Sequence, residues 1–149
     1  MFEIPEGVVS VGESAFEGCA LTGKLELDSA VAIADYAFAG NRSLGSVTIG
    51  ESIQSIGASA FADNSSLRTL TIKAPIYKIG KYAFTGCESL TEITIPNSVT
   101  AIGGAAFYDC TGLTSVTIPD SVTSIGDFAF DNCTSLTTVN YTGSAEQWA

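Results

Sequence analysis

Histidine is absent from the 149-residue sequence, and charged residues make up only 15% of it. Without histidine the commonest general acid or base of enzymes is missing. The sequence also contains neither a nucleophile-elbow motif nor a glycine-rich phosphate loop. No apolar run is long enough to span a bilayer. The composition therefore predicts a non-enzymatic protein that needs no cofactor and does not insert into a membrane.

Basic residues are scarce as well, with six lysines and arginines against 16 acidic residues and a net charge of −10. A surface of this charge repels phosphate backbones and anionic lipid headgroups, which excludes nucleic acid as a partner. The acidity either serves solubility or attracts a cationic partner. All basic residues precede position 82: Lys24, Arg42, Arg68, Lys73, Lys78 and Lys81.

A 23-residue repeat is the dominant positive feature of the sequence. The dipeptide Ala-Phe recurs at steps of 22, 23, 23, 23 and 23 residues. A fixed period of this length is typical of a solenoid, in which each repeat forms one coil that stacks on its neighbours. The repeated phenylalanines are Phe16, Phe38, Phe61, Phe84, Phe107 and Phe130.

Each repeat reads as two short strands and a turn. Leu90, Ile93 and Ile95 form an L-x-x-L-x-L pattern whose last part alternates as in a half-buried strand. Pro96 then ends the strand, because it has no N–H for a ladder. Residues 101–102 predict a second short strand, and residues 106–110 predict one helical or 3₁₀ turn that carries Phe107 into the core. The expected fold is mainly β, with about six coils.

The run 121–139, SVTSIGDFAFDNCTSLTTV, and the segment 139–148, VNYTGSAEQW, resemble the BspA-like leucine-rich repeat. The resemblance covers essentially the whole chain. It implies a right-handed leucine-rich-repeat solenoid over residues 1–149. It also implies a surface or secreted protein of bacteria or protozoa, with adhesion to host matrix proteins as the associated function. Because the chain begins and stops in mid-array, we expect it to be a fragment of a longer surface protein, without its signal and anchor.

One column of the repeat alternates between cysteine and asparagine, three residues after each repeat phenylalanine. A small inward-pointing group that meets turn backbone explains this exchange, so buried free thiols are the favoured interpretation. A disulfide between stacked coils and a metal site are the alternatives, although the C-x₂-C spacing of zinc sites is absent. The column reads Cys19, Asn41, Asn64, Cys87, Cys110 and Cys133.

Two exposed columns of the first strand form the candidate partner-binding face. Threonine and serine there suit β-structure and cross-strand pairing, which is the purely structural interpretation. A hydroxyl-rich face offered to a partner is the functional one, and an ice-binding threonine ladder is a remote third. The face comprises Lys24, Glu26, Ser46, Thr48, Thr69, Thr71, Glu92, Thr94, Ser115, Thr117, Thr138 and Asn140.

A further column, two residues before the repeat phenylalanine, carries large aromatic residues in alternate coils: Tyr36, Tyr82 and Phe128. Alternating large and small side chains that pack on one edge of the stack would explain this order, and packing is the favoured interpretation. If the rings are exposed instead, they form an aromatic strip of the kind enriched at interfaces.

Together these features predict a binding or adhesion module of a cell-surface or secreted protein. Its partner would be a protein or glycan of the host or of another microbe, with an extracellular-matrix or mucosal component implied by the resemblance. The alternative is a structural spacer in a larger surface protein. Uncapped coil ends also predict a tendency to end-to-end self-association.

Overall fold

The computed structural model describes residues 2–30, 32–144 and 146. Twelve parallel strands alternate between long and short along the chain. We define one coil as a short strand, a turn and the long strand that follows. The strands are β1 (Ser10–Val11), β2 (Thr22–Leu27), β3 (Ala32–Ile33), β4 (Ser43–Ile49), β5 (Ser55–Ile56), β6 (Thr69–Ile72), β7 (Lys78–Ile79), β8 (Glu92–Thr94), β9 (Ala101–Ile102), β10 (Ser115–Ile118), β11 (Ser124–Ile125) and β12 (Thr138–Tyr141).

The long strands stack as two parallel sheets, β2-β4-β6 and β8-β10-β12, and the short strands as β1-β3-β5 and β7-β9-β11. Both columns are therefore interrupted at the same junction, between coil 3 and coil 4. We call this junction the seam. The predicted mainly-β solenoid of about six coils is confirmed, while its right-handedness stays a prediction.

A missing donor weakens the seam. At the junction between coils 2 and 3, the N–H of Lys73, just after β6, donates to the carbonyl of Ile49 at 2.8 Å. Pro96 occupies the equivalent place in coil 4 and has no N–H to offer Ile72. Pro119 has the same defect one coil later, and there the β8–β10 ladder persists. The proline therefore removes one bond at the seam without alone explaining it.

The core is a single apolar column along the stack. Phe38, Phe61, Phe84 and Phe107 are fully buried, whereas Phe16 and Phe130 are partly buried, because in the described part of the chain each has a neighbouring coil on one side alone. Successive rings are stacked 5.3–5.5 Å apart. The predicted role of the repeat phenylalanine as the central core residue is confirmed.

The turns differ from the sequence expectation. Residues 13–18, 35–40, 58–63, 81–86, 104–109 and 127–132 form six-residue turns rather than a helical or 3₁₀ turn. Their second and sixth residues have positive φ, between 52° and 71°. The sixth position suits this conformation because it carries glycine, aspartate or asparagine. The second does not, since it holds Ser14, Tyr36, Ser59, Tyr82, Ala105 and Phe128.

This alternation of backbone conformation directs the turn N–H groups in two ways. The third and fifth residues donate within the coil; for example, Ala83 donates to Gly80 at 3.2 Å. The second, fourth and sixth residues donate to the next coil, as Phe84 does to Ala106 at 2.8 Å. Three such bonds cross every junction between consecutive turns, including the junction at the seam. A helix would direct its N–H groups along its own axis, so it could not form these links.

Glycine follows the short strand in coils 3–6 because the preceding coil leaves no room for a side chain. A Cβ on Gly103 would lie 2.7 Å from the Lys81 nitrogen. The close approach, rather than a positive φ, requires glycine at this position.

Candidate functional site

The twelve predicted face residues lie in two straight rows across the long strands. One row pairs Lys24 with Ser46 and Ser46 with Thr69; the other pairs Glu26 with Thr48 and Thr48 with Thr71. In the C-terminal sheet the same rows continue through Glu92, Ser115 and Thr138, and through Thr94, Thr117 and Asn140. All twelve side chains are exposed or half-buried. The geometry thus forms one polar face, interrupted only by the seam.

The charge on this face is concentrated at its N-terminal end. Lys24 Nζ lies 2.5 Å from Glu26 Oε1. The hydrogen bond from Lys24, together with its positive charge, lowers the pKa of the Glu26 carboxyl. Because both side chains are half exposed, this ion pair contributes little to stability.

A cleft of about 360 Å³ opens on the face at the seam. Its rim carries Thr69, Thr71, Glu92 and Thr94, all of which are exposed, whereas Thr48 and Thr117 in the sheet centres are half-buried. The remaining lining residues are Arg68, Leu70, Ile72, Thr91 and Pro96.

Arg68 and Thr91 are not among the predicted face residues, because each directly precedes the two exposed strand columns in its coil. Ile72, equivalent to the fully buried Ile49, is only partly buried here. An opening between two sheet edges exposes this part of the core. One feature of the sequence could have indicated the seam. In coil 3 the proline lies at position 75, whereas in coils 4 and 5 it directly follows the strand segment, as Pro96 and Pro119.

The cysteine and asparagine column caps the turn carbonyls of the preceding coil. Asn64 Nδ2 donates to the carbonyls of Phe38 and Phe61 at 3.1 and 2.8 Å. Cys87 Sγ donates to Phe61 O at 3.4 Å, and Cys110 Sγ to Phe84 O at 3.2 Å. The predicted inward-pointing group that meets turn backbone is confirmed for these coils.

The thiols of this column differ in environment. All four are free, and burial raises the pKa of the Cys87 thiol to about 12 and also raises that of Cys110. Cys133 is half-buried, and its pKa is raised for the same reason. The expectation of a buried thiol is wrong for Cys19, which is exposed because no coil among the described residues covers it from the N-terminal side.

The aromatic column is exposed, so packing does not explain it. Tyr36, Tyr82 and Phe128 are 45%, 41% and 70% exposed. Lys81 Nζ lies 5.1 Å from the centre of the Tyr82 ring. A cleft of about 330 Å³ lies between Tyr82 and Phe128. The rings thus form a strip on the turn side of the solenoid, on a different surface from the polar strand face.

Other functional geometries are not found in the described part of the chain. No helix among those residues is long and apolar enough to cross a membrane. No group of three or more metal-ligating side chains comes together in residues 2–30, 32–144 and 146.

The stacked parallel coils, each with a repeat leucine or isoleucine pattern, define a leucine-rich-repeat protein. Six copies of the BspA type leucine rich repeat region match over residues 1–84 and 55–148. The chain therefore belongs to the BspA-type leucine-rich-repeat family.

Solved bacterial structures share the fold. A leucine rich cell surface protein from Faecalibacterium prausnitzii A2-165 is 35% identical, with a TM-score of 0.81 over 84% of this chain. The leucine rich repeat protein of T. pallidum is 33% identical, with a TM-score of 0.84 over 89% of this chain. One from Eubacterium ventriosum is 27% identical, with a TM-score of 0.81 over 93% of this chain.

The match covers only part of each of these proteins. The chain spans 33%, 63% and 38% of their respective lengths. A search of curated proteins finds no match.

Proposed function

We propose that the chain is a non-enzymatic binding module of a cell-surface or secreted protein, and that it recognises a protein or glycan of the host or of another microbe. The observation that carries this proposal is the cleft at the seam, where exposed face residues of the two sheets meet. There Arg68 and Glu92 supply opposite charges, and the threonines supply hydroxyl groups. An adhesive role in a mucosal setting is supported by the family and by the cell-surface protein among the similar structures.

The edges of β6 and β8 strengthen the case for this position. Each strand ends its sheet, so backbone groups face the cleft without a ladder partner across the seam. Unpaired strand edges bind extended segments of other chains. A partner that inserts polar groups here satisfies both the side chains and the backbone.

Binding to immobilised fibronectin, fibrinogen and mucin tests the proposal. We expect saturable binding that the combined variant Thr71→Ala, Glu92→Gln, Thr94→Ala weakens about tenfold or more, with a nearly unchanged melting temperature. The matched control is Glu88→Gln, Thr100→Ala, Thr123→Ala, which changes exposed residues outside the cleft and should leave binding intact. A fall in both binding and melting temperature would show that the face is only structural.

The rival function is a spacer that holds another domain away from the cell. If none of the three ligands binds saturably, the spacer explains the chain better. The regular turn junctions and the continuous core favour the spacer function, because they make the stack rigid.

Self-association is a second proposal for the 149-residue chain. β11 and β12 form the outer edges of their sheets, and Ile125 and Val139 on them are 41% and 47% exposed. We expect head-to-tail oligomers at high concentration in sedimentation velocity, and a strict monomer would contradict this.

A further inference from the structure

The aromatic strip, formed by Tyr36, Tyr82 and Phe128, is explained neither by backbone preference nor by burial. The three residues have φ of 57°, 57° and 59°, a conformation that bulky side chains rarely adopt. A positive φ strains the backbone of any residue that carries a side chain. Burial does not explain the rings either, because 41–70% of each side chain stays exposed.

The strip has a fixed period. The stacked rings of Phe38, Phe61 and Phe84 show that one coil advances the stack by 5.4–5.5 Å on this side. Strip residues occur in alternate coils, so neighbouring rings start about 11 Å apart, slightly more than two ordinary strand spacings. Cross-coil bonds hold each strip backbone in place; for example, the Tyr82 N–H donates to Gly104 O at 3.0 Å.

The space between the rings is smooth and shallow. Ser59 and Ala105 occupy the strip position in the intervening coils, and both are buried. Between Tyr82 and Phe128 the floor is Gly104, Ala105 and Gly126, with Lys81 and Asp127 at its rim. The cleft has room for a ring-sized group that makes polar contacts at its edge.

We propose that this strip binds a neutral, extended β-1,4-linked glycan that runs parallel to the solenoid axis. In such a chain every second sugar presents the same face, and the disaccharide repeat nearly matches the spacing of the strip. The apolar face of a pyranose stacks on an aromatic ring, as flat apolar groups do on such side chains. Hydroxyl groups of the intervening sugar would then reach the rim of the cleft.

Peptides fit the strip less well. In an extended strand, same-face residues recur every 6.6–6.8 Å or so, which does not divide the strip period. A polyproline II helix repeats about every 9 Å, and it would be out of register by several ångströms at the third ring. A proline-rich peptide therefore serves as the competing probe.

The charge of the surface disfavours an anionic glycan. Lys81 is the last basic residue of the chain, and Asp35, Asp127 and Glu13 directly precede strip positions. Sulfated or uronate-rich polymers would be repelled by the net charge of −10.

Isothermal titration of the full 149-residue chain with cellohexaose and chitohexaose tests the inference, with maltohexaose as the α-linked control. We expect one or both β-1,4 hexasaccharides to bind and maltohexaose to fail. Tyr36→Ser, Tyr82→Ser and Phe128→Ser should each weaken binding roughly tenfold. These variants should keep the melting temperature, because Ser14 and Ser59 already occupy the same position. Tyr77→Ser, which removes an exposed ring outside the strip, is the control and should have no effect.

Three results would overturn the inference: no binding of either β-1,4 hexasaccharide, equal binding of maltohexaose, or binding that survives the triple serine variant. Binding of a polyproline peptide alone would assign the strip to proteins instead. The inference is independent of the strand-face proposal. The Thr71, Glu92 and Thr94 variant should leave hexasaccharide binding unchanged, so the two proposals can fail separately.

Discussion

The turn side and the strand side of the solenoid arise from the same repeat, but only the turn side is continuous. On the turn side, Phe61 and Phe84 stack across the seam at 5.5 Å, and three backbone bonds cross there as at every junction. On the strand side both sheet columns end at that junction. The turn side therefore holds the stack together, which leaves the strand side free to vary and to open a cleft.

The largest effect on stability is expected when a ring is removed from the continuous phenylalanine column. Phe84→Ala should lower the free energy of unfolding by about 3–5 kcal/mol, because the fully buried ring leaves a cavity between Phe61 and Phe107. Urea denaturation measures the change. Phe16→Ala is the matched control, and its cost should be smaller because Phe16 is only partly buried. Equal losses at both positions would contradict a column that is strongest at its centre.

The capping column should show the next largest effect. Asn64→Ala should cost about 1–3 kcal/mol, because it removes the donor to the carbonyls of Phe38 and Phe61. Asn64→Cys should cost less, since Cys87 makes the equivalent bond with its thiol. Equal destabilisation of the two variants in thermal denaturation would show that the hydrogen bond is not the source of the stability that this column provides.

The same column predicts a loss of stability at alkaline pH. Burial raises the pKa of Cys87 to about 12 from an ordinary value of 9.0, so the folded state holds the proton more tightly than the unfolded state. The contribution of this thiol to the free energy of unfolding is therefore fully present below about pH 9 and is lost as the pH rises from there towards 12, by about 1.4 kcal/mol at pH 10. Urea melts at pH 8 and pH 10 measure it. Cys87→Asn should reduce this dependence, because it removes the buried thiol.

The smallest effect concerns single amides on the strand side. Hydrogen exchange at Glu92 and Thr94 in β8, the edge strand at the seam, should be faster than at Ser115 and Thr117 in β10, which has neighbours on both sides. We expect at least about a tenfold difference in protection. Equal protection would mean that the seam is closed in solution.

The sequence predicted those features that depend on side-chain volume and period. Phe107 fills the core, the strand before Pro96 ends as expected, and Asn64 points inward because a small polar group there meets the turn backbone. Each follows from local chemistry repeated at a fixed interval. The twelve face residues were placed on one surface for the same reason.

Two features could not be derived from local preferences. Tyr82 has a positive φ because its N–H must reach the next coil, a requirement that no tyrosine propensity encodes. The turn was consequently expected to be helical, and the aromatic rings were expected to pack. The seam depends on how coils 3 and 4 fit together, so the single shift of proline to Pro75 was too weak a signal.

The one-directional hydrogen bonding of the turns also has an electrical consequence. All cross-coil N–H groups on that side point towards coil 6 and all their acceptors point towards coil 1, so the peptide dipoles add instead of cancelling as they do in a sheet. The positive pole lies at the C-terminal end, where every ionised side chain after Lys81 is acidic. As at a helix N-terminus, the carboxylates therefore sit where the backbone field favours negative charge. This match is confined to the turn side of the last coils, because Glu13 and Glu17 of coil 1 lie at the opposite pole and bonds such as Gly103 N–H to Ile79 O run the other way.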